Sequence, residues 1–154
     1  MLKKFLLVIG VFITIILTIT IVKVIIDSPW DNWGETSKII IGKETFFVEI
    51  ADTPAAYIKG LSGREKLGDN EGMLFIFSEK SIQKFWMKEM KFSLDIIWIN
   101  GDKIAGIVYG AEPELGGQLT IYASPESVDK VLEINAGTAS AGGMRVGDII
   151  QLKK

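Results

Sequence analysis

Leu94-Asp95-Ile96-Ile97-Trp98-Ile99-Asn100-Gly101 is the stretch on which the fold turns. Isoleucine and tryptophan favour a pleated, half-buried backbone, and the apolar run is too short for an independent helix. Asn100-Gly101 follows it directly. That pair supplies the two positive φ angles of a type I′ turn, so Lys103 to Tyr109 is expected to return as the partner strand. Along the first strand Leu94, Ile96 and Trp98 share one face, and Asp95, Ile97 and Ile99 share the other.

Working outward, the chain repeats this texture. Lys38 to Ile41 and Glu44 to Ile50 flank Gly42-Lys43, a second hairpin candidate, and Phe46, Val48 and Ile50 alternate with Thr45, Phe47 and Glu49. Gly72 to Phe77, Phe85 to Met87, Leu119 to Tyr122, Val128 to Ile134 and Ile149 to Leu152 read as further short strands, with Glu112 to Gly117 as a loop. Asp52-Thr53-Pro54 offers a capping oxygen followed by proline at the first helical position. A short helix is therefore expected there, ended by Gly60 or Gly63, and one helical turn over Gly137 to Gly142. The pattern predicts a mainly β fold: a small, compact, β-barrel-like domain with one or two short helices. A sheet packed on a single helix is the alternative.

The amino-terminal end is different in kind. Phe5 to Val22 is an uncharged run of eighteen residues preceded by Lys3 and Lys4. At about 1.5 Å per residue it spans roughly 27 Å, close to the hydrocarbon thickness of a bilayer. A cleaved signal peptide is the competing reading, but its apolar region is shorter and a small-residue cleavage site follows it. Here Lys23 can snorkel and the apolar length extends to Ile26. Trp30 and Trp33 then fall where an interfacial aromatic belt would sit. Residues 1–26 thus read as a transmembrane anchor contacting the lipid bilayer through residues 5–26, residues 27–37 as a juxtamembrane linker, and residues 38–154 as one domain. The lysines before the run place the amino terminus in the cytoplasm and the domain outside it, in the cell membrane as a single-pass protein.

Composition narrows the chemistry. The first 26 residues hold three lysines and no acid, which leaves 14 basic and 19 acidic side chains in the rest, a formal charge of −5. A nucleic-acid partner is not expected from that balance. Histidine and cysteine are both absent. Their absence removes Ser-His-Asp and Cys-His nucleophilic sites, disulfide staples and the usual zinc ligands. No cofactor or metal is expected.

Five side chains are candidates for a ligand site: Arg64, Trp86, Lys88, Asp95 and Glu133. Asp95, in an apolar run, is either a ligand-binding or general acid/base carboxylate or a structural one held by Arg64, a lysine or loop amides, since a carboxylate that loses water needs partners. Glu133, in Val131-Leu132-Glu133-Ile134, is a similar case. If the two approached each other they could work as a carboxylate pair, as in glycoside hydrolysis. Phe85-Trp86-Met87-Lys88 with Phe75, Phe77, Trp98, Tyr109 and Tyr122 forms either an aromatic platform or plain core. Ser81-Ile82-Gln83-Lys84 matches S-x-x-K without its partner motifs. Lys80, Lys84, Lys88 and Lys91 would line one face only if that segment were helical. Gly137 to Ile150 is locally similar to a stretch of PDZ domains, a weak pointer to peptide binding by strand addition.

As a group, Val48-Glu49-Ile50-Ala51, Gly60-Leu61 with Arg64 and Leu67, Gly72-Met73-Leu74-Phe75 with Phe77, Phe85-Trp86-Met87-Lys88, Leu94-Asp95-Ile96, Val131-Leu132-Glu133, Gly137 and Gly147-Asp148 resemble the domain of unknown function 192 family, also called uncharacterised ACR. The resemblance runs from about Thr45 to Leu152. It departs at Glu89-Met90, where the family often has Asn-Thr, and at Ser93, where it often has proline. What it implies is a compact β-rich domain, often exported, with no established activity. The functional expectation is a membrane-anchored extracytoplasmic binding or accessory domain with an envelope ligand or membrane-protein partner. The alternatives are a carboxylate-based hydrolase using Asp95 and Glu133, and a structural accessory subunit of a membrane protein.

Overall fold

A computed structural model describes residues 37–114 and 119–153. The apolar run from Phe5, the linker that follows it and part of the loop after Glu112 lie outside these residues. Among the described residues no helix is long and apolar enough to cross a membrane.

Among the described residues nine strands and two short helices follow in order: β1 (Ser37–Ile41), β2 (Glu44–Ala51), α1 (Pro54–Lys59), β3 (Glu71–Ser81), β4 (Lys84–Phe85), β5 (Leu94–Asn100), β6 (Lys103–Ala111), β7 (Tyr122–Ala123), β8 (Val128–Asn135), α2 (Thr138–Ala141) and β9 (Ile150–Lys153). Seven strands form one sheet in the order β6-β5-β8-β3-β2-β1-β9, and β4 pairs with β7 in a small separate ribbon. All neighbours are antiparallel except β2 and β3, which run parallel. A parallel pair needs a crossover, and α1 with the loop after it supplies that connection.

The sheet curls into a half-barrel. Its two edges meet at one end through an antiparallel bridge between Lys103 and Ile149. Ile104 N donates to Asp148 O, Gly147 N to Ile104 O and Ile150 N to Asp102 O, at 2.8–3.0 Å. Ile39, Phe46, Leu74, Ile97, Ile104, Leu132 and Ile150, drawn from seven different strands, meet in one cluster with Ala139 and Met144. Strands from both edges contribute, so this main core fills the inside of the curl. The barrel-like expectation is met as a half-closed sheet.

The outer face is also buried where β5, β8 and β3 lie side by side. The register sets Glu133 opposite both Met73 and Ile96, and Val131 opposite both Phe75 and Trp98. Leu94 to Ile99 is buried at every position, so β5 is covered on both sides. The outer cover is made by α1, the loop carrying Leu61 and Leu67, and the β4–β7 ribbon. Thr53 caps α1 through Oγ1, which accepts from Ala56 N at 3.3 Å, and Gly60 ends it. Tyr57 fastens the helix to the sheet: its hydroxyl donates to Ile76 O at 2.6 Å and its ring lies 4.9 Å from that of Phe77.

Four local expectations need correction. Asn100 pairs with Lys103, so the turn after β5 is Gly101-Asp102, with only the glycine at positive φ (+65°). Glycine at the first central position is the type II′ arrangement, which has the same strand-compatible twist as I′. Leu119 to Ile121 is exposed and unpaired in any strand; only Tyr122–Ala123 forms β7. The strand expected over Phe85 to Met87 is Lys84–Phe85. The segment bearing Lys80, Lys84, Lys88 and Lys91 is extended or turned, not helical, so those lysines share no helix face.

Glu89, in the loop after Trp86, has φ +59°, a left-handed conformation that costs most side chains energy and that asparagine tolerates better. The loop is pinned nonetheless, since Gly63 N donates to Glu89 O at 3.0 Å and Ser62 Oγ to Lys88 O at 3.2 Å.

Gly72 shows how tightly β3 and β8 meet: a Cβ there would lie 2.8 Å from the backbone oxygen of Glu133. A backbone neighbour cannot rotate away, so Gly72→Ala has to shift the strand pair. It is expected to cost about 1–3 kcal/mol, read as a lower urea midpoint with an unchanged slope.

Candidate functional site

Strand alternation puts Glu133 on the outer face of β8, an interior strand flanked by β5 and β3. A cavity of about 270 Å³ opens above it between the sheet, α1 and β4. Phe75 and Phe77 from β3 line its base, Tyr57 and Leu61 one wall, and Phe85 and Trp86 the other. The β4 side is held by aromatic packing: Phe85 stands edge-on to Phe75 at 4.8 Å and to Trp98 at 5.5 Å. The ribbon carrying Phe85 is tied down by Ser124, whose Oγ accepts from Gln83 N at 3.0 Å. Trp86 is 46% exposed, so it borders the mouth.

Glu133 is the acidic member of this lining. It is 5% exposed, and no hydrogen bond or ion pair reaches its carboxyl from the described residues. Burial pushes its pKa up to about 8. Desolvation disfavours the anion and nothing nearby stabilises it. The cationic members of the lining, Lys59 and Lys84, are exposed, and neither pairs with Glu133.

Of the five candidates from sequence, the fold brings Glu133 and Trp86 together in one cavity. Arg64 lies outside its lining and donates to Glu49 at 2.6 Å, tying the loop after α1 to β2. Lys88 is exposed and also outside the lining. Asp95 faces the inside of the curl. It is fully buried, and both carboxylate oxygens are occupied: Oδ1 accepts from Gly110 N at 2.8 Å and Oδ2 from Ala139 N at 2.9 Å. The donors are backbone amides of a strand and a helix, not Arg64, a lysine or a loop, and they make Asp95 the tie between β6, β5 and the first turn of α2.

The register also separates Asp95 from Glu133. Asp95 pairs with Ile134 and Ile96 with Glu133, so the two carboxyls project to opposite faces of the sheet. They do not form the pair that a two-carboxylate hydrolase needs, and that reading is withdrawn. Of the aromatic set, Phe75, Phe77, Phe85 and Trp86 line the cavity, Trp98 packs behind Phe85, and Tyr109 turns elsewhere to donate to Met144 O at 3.2 Å. Tyr57, Lys59, Ser62 and Met90 were not anticipated as lining. They come from the crossover and the loop after Trp86, whose placement over the sheet has no local signature. Among the described residues no group of three or more acidic side chains is arranged to hold a metal ion.

Comparison with known proteins agrees with this architecture. Residues 37–152 match the profile of DUF192, uncharacterised ACR, and the chain belongs to that family. A solved structure of a protein of unknown function from Novosphingobium aromaticivorans DSM 12444 is similar, with a TM-score of 0.68 and 32% identity over 75% of this chain and 83% of that one. A Sinorhizobium meliloti 1021 protein, described as a candidate transcription regulator, has a TM-score of 0.68 and 32% identity over 76% of this chain and 92% of that one. No curated protein matches the chain.

Two predictions come from the contrasting carboxyls. Folded Glu133 keeps its proton to about pH 8, against an ordinary value of 4.5. The folded state therefore binds more protons than the unfolded one between those values. The stabilisation is complete below the ordinary value and is lost as pH rises through about 8, at no more than about 1.4 kcal/mol per pH unit. Glu133→Gln should flatten this slope and raise the urea midpoint above pH 7. Asp95→Asn should instead destabilise by about 1.5–3 kcal/mol, because an amide NH2 would face a backbone N–H. A lower urea midpoint in chemical denaturation checks the second case.

Proposed function

We propose that the chain is a membrane-anchored, extracytoplasmic binding domain that takes a small amphipathic molecule into the cavity over Glu133. The observation that carries the binding half is a carboxyl buried at the base of an aromatic-lined cavity with no partner of its own. Structural carboxylates are compensated, as Asp95 is. One left uncompensated in a cavity is a functional-site candidate. The volume suits a small ligand, and the exposed Trp86 can stack on it at the mouth.

The anchoring half rests on the sequence: the uncharged run from Phe5 to Val22, the preceding lysines and the two tryptophans beyond it. The formal charge of −5 outside the first 26 residues disfavours nucleic acid as the partner.

Trp86→Ala removes an exposed wall and should weaken binding of a cavity ligand about tenfold, with a urea midpoint close to that of the parent chain. Glu133→Leu should abolish binding while the fold persists. If both variants bind small aromatic probes as the parent does, the cavity is not the site. For location, full-length protein should sediment with membranes, and a carboxy-terminal alkaline phosphatase fusion should be active. A chain recovered from the aqueous fraction and a silent fusion would overturn the anchored, extracytoplasmic reading.

A further inference from the structure

The cavity itself can be taken one step further, to the class of its ligand. We infer that it selects an apolar primary amine, whose ammonium group forms the ion pair that Glu133 lacks. This rests on the cavity being a binding site.

The cavity already contains two lysines in its lining, yet neither forms an ion pair with Glu133. Among the described residues no cation pairs with this carboxyl, so on this reading the ligand supplies it. The walls suit one. Phe75, Phe85 and Trp86 line the same cavity as the carboxyl, and ring faces attract cations most strongly where water is displaced. The remaining aromatic lining accommodates an apolar body. An anionic ligand would meet the carboxyl at the base. A neutral ligand could use the protonated acid as a hydrogen-bond donor but would gain nothing from its ionisation.

The groups that face Glu133 across the cavity are few. Tyr57 and Lys59 come from α1 and Lys84 from β4, while β3 contributes Phe75 and Phe77 and brings no titratable group to the lining. The Tyr57 hydroxyl is already committed to Ile76 O. Both lysines are exposed. Because the empty site holds a proton that an ammonium must displace, amine binding releases it. The affinity should strengthen by up to about tenfold per pH unit on approach to the Glu133 pKa and then level off.

Three near-isosteric probes test this on the full-length chain in detergent: 2-phenylethylamine, 2-phenylethanol and phenylacetate. The readout is the methyl resonance of Met90, which lines the cavity. The amine should bind at least tenfold more tightly than the alcohol at pH 8, and phenylacetate should be weakest. Amine affinity should rise from pH 6 to 8, and Glu133→Gln should remove both the preference and the slope. Equal binding of amine and alcohol, or a pH-independent amine affinity, overturns the amine inference and leaves the binding site standing. Failure of all three probes to move Met90, at any pH and in either protein, removes the binding site along with it.

Discussion

The structure depends on burying two faces of one sheet. β5 has no exposed position from Leu94 to Ile99, and the middle of β8 is buried from Val131 to Ile134. Large apolar side chains contribute roughly 1.5–3 kcal/mol each when fully buried, so neither face can be left to solvent. The curl covers the inner face by bringing β1, β6 and β9 around it. The outer face needs added material, and the parallel β2–β3 connection supplies it by carrying α1 across the sheet. The cavity is the gap left where that outer cover is made of a short helix and a two-stranded ribbon instead of a continuous layer.

The same strand pair delivers two buried carboxyls, and a one-residue difference in register decides their roles. Asp95 faces inward, where Gly110 of β6, at positive φ, and the first turn of α2 each present an amide. The Ala139 amide is buried and would otherwise lack this acceptor, so the carboxylate and α2 stabilise each other. Glu133 faces outward, one row away, where its neighbours are rings and aliphatic chains. Burial is nearly equal for the two, at 0% and 5% exposure. Hydrogen bonding, not depth, separates the compensated carboxyl from the uncompensated one.

Much of this was legible in the chain. Alternation in Leu94 to Ile99 set which residues share a face, and the Asn-Gly signal located the hairpin to within one residue. Its turn type shifted because Asn100 fits the ladder opposite Lys103, leaving glycine alone to take positive φ. Thr53-Pro54 marked the start of α1, where a hydroxyl and a preset φ act locally. Trp86 and Glu133 were picked out, but so were Arg64, Lys88 and Asp95, because residue type alone cannot say what a side chain will find beside it. The Arg64–Glu49 pair spans two elements, and the Asp95 partners lie 15 and 44 residues away. The lining from Tyr57 to Ser62 depends on the parallel crossover, a long-range choice with no periodicity to betray it. Leu119 to Ile121 misled for the opposite reason: strand propensity without a free neighbour to pair with yields an exposed segment.

Could the Glu133 carboxyl be an accident of packing? An unpaired buried acid opposes folding at neutral pH, whereas a leucine would stabilise the same position by filling apolar space. Natural chains break a local rule of this kind mainly where function requires it. The surroundings point the same way. Arginine, lysine and backbone amides neutralise Glu49, Glu65 and Asp95 elsewhere on this domain. On β8 itself, burial alone would push Asp129 upward, but Lys130 and the Gly101 amide hydrogen-bond to it and hold its pKa below the usual carboxylate value. The protein has the means to compensate an acid four residues away on the same strand and does not apply them at Glu133. A cavity lined by Phe75, Phe85 and Trp86 stands over that acid. On the proposed reading, the missing compensation is what a ligand brings.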